Sequence, residues 1–188
     1  MKATKQITKV VLLILLPSMG LAQQSLTASD ESTVSIYGTS NVHDWSEHCA
    51  SVTGTVVLHE TGDNIDLKEL NFNVRVTDIK SGKNSMDNYT YEALLAEKHP
   101  VIQFRANSIT TNGTPVSINA VAQGQMTIAG KSLPEKITAA CFYSSSGLKC
   151  SGTKVIDMTN YGVEPPSIMF GAMTVGKEVE IHYEILFK

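Results

Sequence analysis

The stretch Glu178-Val179-Glu180-Ile181-His182-Tyr183-Glu184-Ile185-Leu186-Phe187 decides the fold class. Val179, Ile181, Tyr183, Ile185 and Phe187 fall on one side, and Glu178, Glu180, His182 and Glu184 on the other, a separation that only a period of two produces. A strand apolar on one face and acidic on the other belongs to an antiparallel sheet with one wet face. The alternation returns in Leu70, Phe72, Val74 and Val76, in Ile102, Phe104 and Ala106, and in Ile118, Ala120, Ala122, Gly124, Met126 and Ile128. Too little helix accompanies these runs to cover their apolar faces, so the sheet must roll up around them. The expectation is an all-β fold, an eight-stranded antiparallel barrel with one short helix.

That helix is read over Ser85 to Lys98, where Tyr91, Leu94, Leu95 and Lys98 share a helical face. Ser85 or Asp87 can cap its start, and Pro100 forbids its continuation. Val34 to Tyr37 are taken as the first strand, Gly54 as a bulge or bend in the next. Thr61-Gly62-Asp63-Asn64 and Thr110-Thr111-Asn112-Gly113 read as turns.

The first residues read as an export signal. Lys2, Lys5 and Lys9 form a basic start, Val10 to Leu16 a short apolar core and Gly20-Leu21-Ala22 a small-residue cleavage site. Residues 1–22 are therefore assigned to a signal peptide and 23–188 to a single barrel domain, exported to the periplasm or beyond a bacterial cell. The apolar run is too short to span a bilayer. The whole chain holds 15 Lys and Arg against 18 Asp and Glu, and three of the lysines lie in this leader, leaving 12 against 18. That acidic excess argues against nucleic acid or an anionic membrane surface as the main partner.

Three cysteines follow the leader. If Ser144-Ser145-Ser146-Gly147 is a hairpin loop, Tyr143 faces Leu148 and Cys141 sits opposite Cys150, close enough to bridge in an oxidising compartment, with two unpaired buried thiols as the alternative. Cys49 is then left over, either buried or open to an external partner.

No G-x-S-x-G elbow, P-loop, dinucleotide glycine fingerprint, C-x-x-C pair or H-E-x-x-H occurs. His43, His48 and Cys49 make the best metal candidate by ligand type, but their spacing matches no strong pattern, and no metal or catalytic residue is assigned. Asp44 and Trp45 can close one end of a barrel, either positioning a polar headgroup or plugging the bottom. Met126, Met158, Met169, Phe170 and Met173 form a late cluster of adaptable side chains, suited to an interior that takes a flexible apolar guest. The sequons at Asn88-Tyr89-Thr90 and Asn112-Gly113-Thr114 are read as accidental.

Several stretches, in this order, carry a resemblance: Gly38-Thr39-Ser40-Asn41-Val42-His43-Asp44-Trp45; Ser81-Gly82 leading to Met86-Asp87 and the Tyr91 to Pro100 helix end; Gly124-Gln125-Met126-Thr127-Ile128-Ala129-Gly130; and Met158-Thr159-Asn160-Tyr161-Gly162 followed by Val175-Gly176-Lys177-Glu178-Val179. Through them the chain resembles the YceI-like family of exported lipid-binding barrels. The resemblance implies a lipocalin-like barrel that holds a long isoprenoid or related amphiphile inside. It also marks a departure, since many members carry arginine where Met158 stands here.

The expected function is thus an exported carrier of a long-chain isoprenoid, quinone-like or other amphiphilic lipid, without enzymatic chemistry or a cofactor. The inward set expected to contact the ligand is Phe72, Val74, Val76, Ile102, Phe104, Ile118, Met126, Ile181, Tyr183 and Ile185. The expected partner is a long-chain apolar lipid; nucleic acid and a membrane-spanning role are excluded from the reading, and a homodimer is left open. Two rivals remain: an enzyme on a lipid or quinone using His43 and Asp44 as a proton-transfer pair, and a solid-cored barrel with a structural role.

Overall fold

The computed structural model describes residues 22–62, 64–168 and 170–188. The expected signal peptide, apart from Ala22, and Met169 of the methionine cluster lie outside the described residues. The strands are β1 (Ala22–Thr27), β2 (Thr33–Ser40), β3 (Trp45–Cys49), β4 (Thr53–Thr61), β5 (Asn64–Arg75), β6 (Ile79–Lys80), β7 (Val101–Thr114), β8 (Ser117–Ile128), β9 (Lys131–Ser144), β10 (Gly147–Asp157), β11 (Ser167–Ile168) and β12 (Met173–Phe187), with helix α1 (Asn84–Ala93) between β6 and β7.

Hydrogen bonding orders the sheet as β1-β4-β5-β7-β8-β9-β10-β12-β2-β3-β6, with β11 on β12, and every pairing is antiparallel. The ends of that order meet in space. Ala28 bridges Phe187, and Thr27 and Lys188 exchange backbone hydrogen bonds, so β1 joins the far end of β12. At the other end β6 continues β5 after the 3-10 turn Val76–Asp78. Counting β1/β2, β3/β4 and β5/β6 each as one bent stave, with β7 to β10 and β12, gives a closed ring of eight. The eight-stranded barrel thus corresponds to eleven shorter strands, because three staves are kinked where the wall bends, and the two-residue β11 adds a twelfth off the ring.

Two kinks of another kind keep the lumen apolar. In β5 the buried parity is odd at Ile65 and Leu67 and even at Phe72 and Val74. Glu69, at φ 53°, supplies the extra residue that switches it, where the pairing with β4 slips between Thr55 and Val57. A second slip between Ala106 and Ser108 does the same in β7, so that Ile109 faces inward after Phe104. A bulge re-aims every later side chain, which strict alternation cannot anticipate.

The structure corrects several local readings. A strand precedes Val34 to Tyr37, the first strand expected from sequence: β1 pairs along its length with β4 and buries Leu26. Asn112 and Gly113 lie within the β7–β8 ladder, and the chain reverses at Pro115-Val116. α1 begins at Asn84 without a side-chain cap and ends at Ala93. Asp87 instead accepts from the backbone and hydroxyl of Ser81, tying the helix to the preceding loop. The Tyr91 hydroxyl lies 3.0 Å from both the Thr77 and Ile79 carbonyls, which share its single hydrogen, and this anchors the helix over one end of the barrel. The hairpin reading stands: Tyr143 faces Leu148, and Cys141 and Cys150 form a disulfide, leaving Cys49 buried and unpaired.

Candidate ligand-binding cavity

The barrel holds two adjoining, partly open chambers, of about 390 Å³ and 180 Å³. The larger lies between α1, the loop ahead of β3 and the segment from Met158 to Val175; the smaller is lower in the barrel. Six side chains line both: Ile36 on β2, Ile79 on β6, Ile102 on β7, Ile128 on β8, Ile156 on β10 and Ile181 on β12. These isoleucines form a collar, each from a different strand. β-branched side chains hold few rotamers, so the collar is a stiff, apolar boundary between the two cavities.

Below the collar the wall is aliphatic and aromatic, from Val34, Leu67, Phe72, Val74, Phe104, Met126, Ile137, Tyr183 and Ile185. Small residues Ala120, Ala122 and Ala139 leave the space unfilled. Lys154 also faces in, but its amine is held by Glu135, which in turn accepts from the Tyr161 hydroxyl at 3.0 Å. Burial, with the Glu135 carboxylate beside it, pushes the Tyr161 phenol well above its ordinary range. Burial likewise raises the Tyr183 phenol to about 12, and its hydroxyl donates to the Thr138 carbonyl. Both phenols stay neutral at physiological pH.

The upper chamber differs in chemistry. Ser40, His43, Glu47, Lys83, Ser85 and Thr90 share it with Trp45, Met86, Leu94, Met158 and Met173. Trp45 lies flat across Gly38, where a Cβ would come within 2.1 Å of the indole, and its Nε1 donates to the Thr39 carbonyl at 3.1 Å. Glu47 is only 2% exposed and takes a hydrogen bond from the Thr90 hydroxyl at 2.6 Å. Desolvation raises its carboxyl above the ordinary value of 4.5, against the lowering effect of Thr90.

Of the ten residues expected from sequence to face a ligand, Phe72, Val74, Ile102, Phe104, Met126, Ile181, Tyr183 and Ile185 come together on the lower chamber. Val76 does not: it starts the 3-10 turn and is fully buried away from the lumen. Ile118 is packed solidly at the end of the barrel nearest the disulfide. What alternation missed is the upper chamber, whose walls come from α1 and irregular segments; the Met158, Met173 and Trp45 signals were the available pointers.

His43 and Asp44 do not form a proton-transfer pair. His43 is exposed and its Nδ1 donates to the backbone carbonyl of Asp44 at 2.9 Å, not to the carboxylate. His48 is exposed and Cys49 buried, on opposite faces of β3, so they cannot share a metal with His43. Among the described residues no cluster of three or more His, Cys, Asp or Glu could hold a metal ion. Burial, then the charges of Glu47 and Asp78, push the Cys49 thiol up to about 12. Among the described residues no helix is long and apolar enough to cross a membrane.

A model of the YceI-like domain matches residues 27–187. The chain belongs to the YceI-like family. Its fold is that of BcnA from Burkholderia cenocepacia, with a TM-score of 0.67 and 15% identity over 82% of this chain and 95% of that one. It is also similar to a polyisoprenoid-binding domain from Saccharophagus degradans implicated in plant cell wall breakdown, with a TM-score of 0.62 and 11% identity over 90% and 99% of the two chains. The YceI protein of Campylobacter jejuni aligns with a TM-score of 0.59 and 13% identity, over 76% of this chain and 84% of its own. Among curated proteins none matches the sequence.

Proposed function

We propose that this YceI-like barrel carries one long amphiphilic lipid, of the isoprenoid or quinone type, with its tail threaded through the isoleucine collar. The observation that carries the reading is the pair of adjoining chambers, the lower nearly all apolar and the upper supplied with hydroxyls, a carboxyl and an indole. A ligand apolar along its length and polar at one end fits that gradient, tail below and head above. The polyisoprenoid-binding description of the Saccharophagus degradans neighbour supports the ligand class. A solid-cored structural barrel is disfavoured by a volume of about 390 Å³ in the upper chamber, within the range of small-molecule sites. An enzymatic role is disfavoured by the separation of His43 from the Asp44 carboxylate.

Export through cleavage after Ala22 and a periplasmic or secreted location belong to the same proposal, and the Cys141–Cys150 bridge is in keeping with an oxidising compartment. The test is native mass spectrometry of freshly purified protein, followed by solvent extraction. An isoprenoid-sized adduct that leaves on extraction and rebinds is expected. Protein free of lipid, which then takes up no prenol or quinone, would overturn the reading.

A further inference from the structure

The collar is not apolar all the way round. Ile36 on β2 is paired directly with Glu47 on β3, so a carboxyl sits at the level of the neck, on the stave between Ile36 and Ile79. Glu47 is 98% removed from solvent, being only 2% exposed, yet it borders the upper chamber. One carboxylate oxygen is occupied by Thr90. The other takes no protein hydrogen bond, and among the described residues no side-chain polar atom sealed inside protein lacks a partner. That oxygen therefore opens onto the chamber.

We infer that Glu47 is the headgroup contact of the bound lipid, and that it selects an uncharged headgroup bearing a hydroxyl over a phosphate or pyrophosphate ester of the same chain. This rests on the lipid-carrier reading above. A hydroxyl satisfies the exposed oxygen whichever way the proton lies: it donates to the carboxylate and accepts from the carboxylic acid. A phosphate at the same place sets a second anion beside a Glu47 carboxylate that is only 2% exposed, where repulsion is poorly screened. Thr90 cannot relieve this, because its hydrogen already points at Glu47.

One arrangement competes. Lys83 and the start of α1 border the same chamber, and an anionic headgroup held there would avoid Glu47. The experiment separates the two. Trp45 is the single tryptophan of the chain and lines the chamber, so its emission reports occupancy. Delipidated wild type, Glu47→Gln and Glu47→Leu are titrated with geranylgeraniol and with geranylgeranyl phosphate. Wild type is expected to hold the alcohol about tenfold or more tightly than the phosphate. Glu47→Gln should keep alcohol binding within about threefold, since the amide still donates and accepts, and should tighten the phosphate. Glu47→Leu should weaken the alcohol by about tenfold, the consequence of one lost buried hydrogen bond. Phosphate bound as tightly as alcohol by wild type, unaffected by either substitution, would overturn the inference while leaving the carrier function standing. A parallel change for both ligands in both variants would also overturn it, by making Glu47 merely structural. Failure of wild type to bind either ligand would instead sink the carrier reading on which it rests.

Discussion

Closing the collar should shorten the chain that the barrel can hold. Ile181 lies in the middle of β12, faces the lumen and borders both chambers. Replacing it with Trp puts an indole into the neck between Ile36 and Lys154, its neighbours across the two adjacent strands. In a close-packed core such a change costs about 1–3 kcal/mol. Here the indole has open volume on either side, so the loss against delipidated wild type should stay below about 1 kcal/mol; delipidation matters because bound ligand itself stabilises the fold. Each methylene drawn through the collar contributes about 0.8 kcal/mol, so the five carbons of an isoprene unit amount to about 4 kcal/mol, or roughly a thousandfold in affinity, before the cost of ordering the chain. Equilibrium dialysis with geraniol, farnesol and geranylgeraniol reads this directly. Wild-type affinity should climb at least tenfold with each added unit, while Ile181→Trp should match wild type for geraniol and then level off. Parallel slopes for the two proteins would refute a chain threaded through the collar.

Other perturbations probe separate parts of the fold. Val74→Trp, on the wall of the lower chamber, should fold with little loss of stability against delipidated protein and copurify with less lipid; severe destabilisation with a full lipid complement would show solid packing there. The double substitution Cys141→Ala with Cys150→Ala opens a loop of sequence separation 9 and should lower stability by about 2–3 kcal/mol in chemical denaturation; an unchanged midpoint would contradict that account. Glu47→Gln should become more stable relative to wild type as pH rises through and above the ordinary glutamate value of 4.5. The sign follows because the native state holds the Glu47 proton more tightly than the unfolded chain, so raising pH penalises only the carboxylic acid variant. Asp87, which adds to the upward shift, is present in both proteins, as are Lys80 and His48 beside it; thermal melts from pH 4 to 7 showing no such divergence would count against it. Gly38→Ala places a Cβ 2.1 Å from the Trp45 ring and should displace the indole, seen as a red-shifted emission and weaker ligand binding; an unaltered spectrum would show that the wall yields instead.

The sequence by itself determined the fold class and much of the lower chamber. A period of two is a local property, and in β8, in β12 from Val179 on and in Phe72 to Val74 of β5 it runs unbroken, so Val179 to Phe187 and Phe72 to Val74 could be assigned to the lumen from spacing alone. The disulfide was legible for the same reason, since a tight turn fixes the register of the strands it joins. What only the tertiary structure decided lies where that local rule is broken or does not apply. Bulges at Glu69 and between Ala106 and Ser108 invert the parity of a strand without any change in composition. The kinks that turn eight staves into eleven strands, and the pairing of β1 with β4, depend on how the wall closes. Val76 and Ile118 carry the right period yet miss the cavity: Val76 has left the strand for the 3-10 turn, and Ile118 lies at the packed end of the barrel, a depth set by strand stagger and not by which face a residue occupies. Glu47 is the sharpest case: as a glutamate in a polar stretch it gives no local sign of burial, and only the β2–β3 register sets it beside Ile36 at the neck of the lumen.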